Sequence, residues 1–104
     1  VFMATVTAKT ALPTDEDLHV AVSSLKMISD GTRLKTLFLL EQGESSVVGL
    51  CEALGVTLPV VSHHVALLKV SGIVKTRRAG RHIYYSLSHL GRFAVTTARR
   101  LMKD

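Results

Sequence analysis

The chain has 104 residues, one Cys and a formal net charge of +5, enough for one domain with a modest core but too few thiols for an internal disulfide. No apolar run approaches the roughly eighteen residues that cross a bilayer; none exceeds four residues, as in Leu37 to Leu40, so the expectation is a soluble, cytoplasmic protein without a membrane partner. The charge is divided: nine of the thirteen Lys and Arg (Lys69, Lys75, Arg77, Arg78, Arg81, Arg92, Arg99, Arg100, Lys103) lie between Ala53 and Lys103, a stretch without Asp or Glu, while seven of the eight carboxylates lie in the first half. Clustered cations neutralise phosphates and release condensed counterions, so double-stranded nucleic acid is the first partner to consider, ahead of an acidic membrane surface. A solvated basic face without a partner is the plainer alternative.

Residues 1–12 are small and β-branched without a period and read as a flexible N-terminal arm, in which Met3 could be the natural start. Residues 13–104 then form the folded domain. Thr14 can cap a helix beginning near Asp15, with Asp15, Glu16 and Asp17 facing the positive end of its dipole. Leu18, Ala21, Val22, Leu25 and Ile28 recur every three or four positions along it, and Asp30-Gly31 is expected to end it. A second helix from Thr32 has Leu34, Leu37, Phe38 and Leu40 as its stripe. After Gln42-Gly43-Glu44, Ser45 or Ser46 can cap a short third helix with Val47, Leu50, Cys51 and Leu54 on one face.

Gly55 closes that helix where a left-handed cap is preferred, and Thr57 opens a fourth with Pro59 in its first turn. Two helices joined by three residues containing Gly predict a helix-turn-helix. Val61, Val65 and Leu68 point to the core, which leaves Pro59, Ser62, His63 and Ala66 on a small, polar outer face suited to a major groove. Ile73–Arg77 and Arg81–Leu87 around Arg78-Ala79-Gly80 predict a hairpin with Arg77, Arg78 and Arg81 at its tip, able to enter a minor groove or grip phosphates. A fifth helix from about Ser88 places Leu90, Phe93, Ala94, Ala98 and Leu101 roughly on one side and Arg92, Arg99 and Lys103 on another.

The fold class is therefore mainly α with a β-hairpin wing: a winged helix-turn-helix of four helices, two strands and a fifth helix. Leu25-Lys26-Met27-Ile28-Ser29-Asp30-Gly31-Thr32-Arg33-Leu34 resembles the "Leu-x-x-Leu-x-Asp-x-x-Arg-Leu" opening of the ArsR/SmtB family of bacterial repressors. Val61-Ser62-His63-His64-Val65-x-x-Leu68 resembles its recognition helix, and Gly80-Arg81-His82-Ile83-Tyr84-Tyr85-Ser86-Leu87 its wing. The resemblance covers roughly residues 18 to 95. It implies a homodimer that binds operator DNA of imperfect twofold symmetry, with the first and last helices as dimer contact through Leu18, Val22, Leu25, Leu90, Phe93 and Leu101. Those stripes can equally pack on their own domain, or do both.

For DNA contact the candidates are Thr57, Pro59, Ser62, His63 and His64 from the fourth helix and Arg77, Arg78 and Arg81 from the wing. Thr57 has a second reading as a cap only. Where relatives often place Gln, this chain has Leu58, which offers a base no hydrogen bond and suits a thymine methyl or an inward position.

Many relatives bind metal through a Cys-x-Cys pair at the start of the third helix; Ser46 and Val48 stand there. Cys51, the single thiol, reads as core rather than sensor. Other relatives use Asp-x-His early in the last helix and His-x-x-Glu near its end; here His89-Leu90-Gly91 and Met102 occupy those places. A non-standard nickel or zinc set of Asp15, Glu16, Asp17, His19 and His89 across the dimer contact is conceivable, since oxygen and imidazole ligands suit those ions. Its carboxylates already serve as helix-start charges. His82 in the wing reads as structural. A repressor that answers to a co-regulatory protein, or to nothing, stands beside the metal sensor.

Catalysis has little to stand on. Ser62-His63-His64 places a hydroxyl beside imidazoles, yet consecutive helical residues point about 100° apart and no nearby carboxylate orients a base. The expectation is not an enzyme. Two other readings remain: an architectural protein binding DNA without sequence preference, and a winged helix that acts with a protein partner.

Overall fold

The computed structural model describes residues 11–103; the expected arm, Met3 included, lies outside the described residues except for Ala11 and Leu12. The elements are α1 (Asp15–Ile28), α2 (Gly31–Glu41), α3 (Val47–Leu54), α4 (Leu58–Val70), β1 (Val74–Ala79), β2 (His82–Leu87) and α5 (His89–Lys103). This is the expected winged helix-turn-helix order. No single helix among the described residues is long and apolar enough to cross a membrane.

Local chemistry sets the helix starts. Thr14 Oγ1 accepts the Asp17 N–H at 3.1 Å, and three carboxylates occupy the first turn of α1, where they meet the positive dipole end. Asp30 does not end α1, as the sequence suggested, but caps α2: its Oδ2 accepts the Arg33 N–H at 2.9 Å. A carboxylate is suited to the free N–H groups of a helix start and ill suited to the carbonyls of a helix end. That bond holds the Asp30 carboxyl below its ordinary value. Ser29 closes α1 instead.

Ser46 caps α3 by accepting the Gly49 N–H at 3.1 Å, and Gly55 ends it at φ 68°, a left-handed conformation that costs a residue with a Cβ. The chain turns through 117° between α3 and α4, within the range of a helix-turn-helix. Beyond α4 the hairpin pairs Val74 with Leu87 through Ala79 with His82. Its turn is therefore Gly80-Arg81, with Gly80 at φ 62°, and not Arg78-Ala79-Gly80. The expected tip is corrected accordingly: Arg77 and Arg78 lie within β1, and only Arg81 stands at the turn. Extending β1 to Ala79 brings Arg78 and Ala79 into the ladder opposite Ile83 and His82, where a looser turn would leave them unpaired. Ser45 adds a bridge to Tyr85 on the outer side of β2, with N–H···O distances of 3.0 and 2.8 Å.

The core is formed by Leu37 and Leu40 of α2, Leu50 of α3, Val61, Val65 and Leu68 of α4, Ile73, Val74 and Leu87 around the wing base, and Ala94 and Val95 of α5. Leu34, Phe38, Val47, Cys51 and Leu54 pack against it half-buried. α1 contributes no buried residue. α5 corrects a second expectation, because its apolar residues split between two faces. Gly91, Ala94, Val95 and Ala98 are buried while Leu90, Phe93 and Leu101 are exposed. The inner face is made of small residues because α5 sits tightly on the loop before β1: a Cβ at Gly91 would lie 2.3 Å from the Ile73 carbonyl oxygen. Ser88 fixes this junction, accepting the Gly91 N–H at 3.1 Å and donating to the Ile73 carbonyl at 2.8 Å.

Candidate nucleic-acid interface

α4 is anchored by Val61, Val65 and Leu68, each at most 1 % exposed, so its rotation about its own axis is fixed by the core. The opposite face carries Pro59, Ser62, His63 and Ala66, all exposed. Thr57 takes the extended N-cap backbone, yet its hydroxyl makes no cap hydrogen bond, which leaves it available at the helix N-terminus. Leu58 and Val60 stand exposed beside it, so the inward alternative for Leu58 is not adopted. His64 is half-buried and its Nδ1 lies 3.2 Å from Arg33 Nη1. Its ring centroid is 5.8 Å from that of His63.

The three wing arginines differ in what they touch. Arg77 reaches across Tyr84 of β2, with its guanidinium carbon 4.9 Å from the ring centroid, and donates from Nε to Glu44 Oε2 at 3.1 Å and from Nη2 to Oε1. The hydrogen-bonded pair lowers the Glu44 carboxyl and raises the Arg77 guanidinium relative to their ordinary values. Arg78 and Arg81 are exposed and have no carboxylate partner among the described residues. Arg99 likewise turns back, donating to Glu41 Oε2 at 3.0 Å and lying over Phe38. The sequence-level division into an acidic and a basic half is thus softened in three dimensions, since two of the acidic residues reach across it to Arg77 and Arg99.

Arg77 is a candidate from the sequence, but Glu44 and Tyr84, which hold it, are not, and Arg33 stands there only within the family-like motif. Arg77 and Glu44 are 33 positions apart and Arg33 and His64 are 31 apart, separations at which no local pattern carries a signal.

α1 and α5 leave a second, largely apolar surface. Leu18, Val22 and Leu25 of α1 and Leu90, Phe93 and Leu101 of α5 are between 41 and 77 % exposed. Between the two helices runs a groove of about 360 Å³ lined chiefly by Ala21, Leu25, Ile28, Leu90 and Phe93.

Asp15, Glu16, Asp17, His19 and His89 are all exposed, and no three His, Cys, Asp or Glu side chains among the described residues come together as a metal site would require. Position 91, where the family resemblance would put a histidine ligand, has no room for a side chain. Among the described residues of one chain, no ligand set therefore stands at either of the family's usual places. Cys51 is a half-buried free thiol.

Residues 30–76 match the family model for bacterial regulatory proteins of the arsR family. The chain is 37 % identical over 75 residues to the HTH-type transcriptional regulator KmtR of Mycobacterium tuberculosis, covering 72 % of this chain and 58 % of that protein. It is 40 % identical over 63 residues to the transcriptional repressor SdpR of Bacillus subtilis, covering 61 % of this chain and 70 % of that one. Among solved structures it is similar to a homodimeric winged helix-turn-helix DNA-binding domain from Mycobacterium bovis, with a TM-score of 0.78 and 27 % identity over 88 % of this chain and 89 % of the other. The chain spans a little under three fifths of the length of KmtR, 58 %.

Proposed function

The chain belongs to the ArsR family of bacterial regulatory proteins, and from that premise we propose that it is a transcriptional repressor, not an enzyme, that binds a twofold-symmetric operator as a homodimer in the cytoplasm. The observation that carries this reading is the division of α4. One face is locked into the core while Thr57, Pro59, Ser62 and His63 stand clear, with Arg78 and Arg81 projecting from the wing that follows. Such a helix fits the major groove with its N-terminal half toward base edges, and the wing's guanidinium groups anchor the backbone. The apolar faces of α1 and α5 supply the contact between protomers. Two α4 helices related by the dimer axis would enter successive major grooves about one turn apart.

Fluorescence anisotropy tests this on the promoter fragment upstream of its own gene and on a scrambled fragment, with salt varied and zinc, nickel or cobalt then added. Preference for the promoter fragment, with a steep loss of affinity as salt rises, is the expected result. Equal binding to both fragments favours the architectural reading, and no binding favours action through a protein partner. We expect DNA binding to be indifferent to the added metals, leaving control to a co-regulatory protein or another ligand. Release by nickel or zinc would instead place a site across two protomers, on Asp15, Asp17, His19 and His89.

A further inference from the structure

Arg33 is half-buried, and its polar contacts reach three different parts of the fold. Its backbone N–H bonds Asp30 Oδ2 at 2.9 Å, its Nε donates to the Met27 carbonyl in the last turn of α1 at 2.5 Å, and its Nη1 meets His64 Nδ1 on the reading helix at 3.2 Å. A guanidinium carries donors only and stays charged. His64 Nδ1 must then accept, and the proton of the neutral ring must sit on Nε2. No buried side-chain nitrogen or oxygen among the described residues lacks a partner, and Nε2 has no protein partner among those residues, so this N–H opens to the surface beside His63.

We infer that Arg33 is a positioning residue for DNA reading: by occupying Nδ1 it fixes His64 as the Nε2–H tautomer, which presents one outward donor to a hydrogen-bond acceptor on DNA. The inference rests on the reading of α4 as the DNA-reading helix. Acceptors of this kind are guanine O6 and N7, adenine N7, thymine O4 and the phosphate oxygens, whereas the cytosine amino group is a donor and is refused. His64 is buried enough to be held and exposed enough to be used, unlike His63, which no described residue fixes by a hydrogen bond. Fixing the tautomer in advance means that binding does not have to select it.

Long-range ¹H–¹⁵N correlation on the full chain at mildly alkaline pH reads the tautomer, with the His64 signals assigned by their loss in His64→Ala. The unaltered protein is expected to show protonated Nε2 and bare Nδ1, and Arg33→Met is expected to let the proton redistribute between the two nitrogens. A proton on Nδ1 in the unaltered protein, or a ring insensitive to Arg33→Met, overturns the inference.

Anisotropy on the fragment that the protein prefers gives the second readout. Arg33→Met and His64→Ala are each expected to weaken binding roughly tenfold, and the double variant no further. Arg33→Met also removes the bond to Met27 and lowers thermal stability, so His64→Ala, which leaves that bond in place, carries the binding test on its own. Full affinity in His64→Ala, or losses that add in the double variant, overturns the inference. A loss confined to the preferred fragment places the acceptor on a base edge; an equal loss on scrambled DNA places it on phosphate. If the unaltered protein binds neither fragment, the DNA-binding proposal fails, while the tautomer measurement still judges the Arg33–His64 contact.

Discussion

α4 and α1 carry apolar side chains at the same helical spacing and bury them to opposite extents. Val61, Val65 and Leu68 are sealed in the core at 0 to 1 % exposure, while Leu18, Val22 and Leu25 remain 42 to 59 % exposed. Full burial of one such side chain stabilises by about 1.5–3 kcal/mol, so α1 and the outer face of α5 hold back a contribution that the single chain does not collect. The difference teaches that a periodic stripe announces a covered face without saying what covers it. On α4 the cover is the chain's own α2, α3 and wing base; on α1 and α5 it is, in the proposed dimer, a second copy.

The largest expected effect tests the sealed side of this contrast. Leu68→Ala removes a fully buried side chain and should cost about 2–5 kcal/mol in urea denaturation, because the surrounding core closes only partly over the cavity. Leu25→Ala, measured at dilutions where protomers are separate, should stay within about 0.5 kcal/mol of the unaltered chain. Equal costs would break the comparison.

α5 contains both situations in one helix and so sharpens the contrast. Gly91→Ala would set a Cβ 2.3 Å from the Ile73 carbonyl oxygen and 3.1 Å from Leu87 Cδ2; the backbone oxygen cannot yield without moving α5 off the wing base. A loss of about 1–3 kcal/mol is expected in the same denaturation assay. Phe93→Ser, two positions along but on the outer face, should leave the isolated fold nearly unchanged. Combined with Leu25→Ser, it should instead shift sedimentation from dimer to monomer and remove the concentration dependence of the melting temperature. DNA affinity would fall with it, since two linked half-sites act as one.

Much of this arrangement was legible in the sequence where the cause is local. The cap at Thr14, the left-handed Gly55 and the inward set Val61, Val65 and Leu68 follow from side chains a few positions apart, and the structure places each of them as expected; of the two serines offered as cap for α3 it takes Ser46. Asp30 was misread because a polar residue followed by Gly marks a helix end as readily as a helix start, and only its bond to the Arg33 N–H decides between them. The wing turn was misplaced by two residues because Arg78 and Ala79 carry no strong strand preference, and the ladder of β1 on β2 extends through them regardless. α5 was read as one apolar side since spacing alone does not separate small inward residues from large outward ones. At the candidate interface the residue types were visible but their contacts were not. Glu44 holding Arg77 and Arg33 holding His64 are products of the tertiary fold.

The smallest expected effect concerns the wing, where one residue type again has two environments. Arg81 at the turn has no carboxylate partner among the described residues, while Arg77 is held by Glu44 across the face of Tyr84. Arg81→Ala should reduce the slope of log affinity against log salt by about 1. Arg77→Ala should reduce it less at neutral pH, because a guanidinium already facing a carboxylate releases fewer DNA counterions. The pair also sets a pH dependence whose sign is fixed. The Glu44 carboxyl is lowered in the folded chain, chiefly by its hydrogen bond from Arg77, so the tie is fully present above the ordinary carboxylate range and is lost as pH falls through the lowered value. Both side chains are exposed, which makes the effect on fold stability slight and sensitive to salt; its readout is therefore the wing. Glu44→Gln at neutral pH should reproduce the acid state by removing the carboxylate charge, making Arg77 available to phosphate and steepening the salt slope. An unchanged slope in Glu44→Gln, or an Arg77→Ala loss as large as that of Arg81→Ala, would mean that Arg77 leaves Glu44 for the DNA backbone on binding and that the two arginines do the same work.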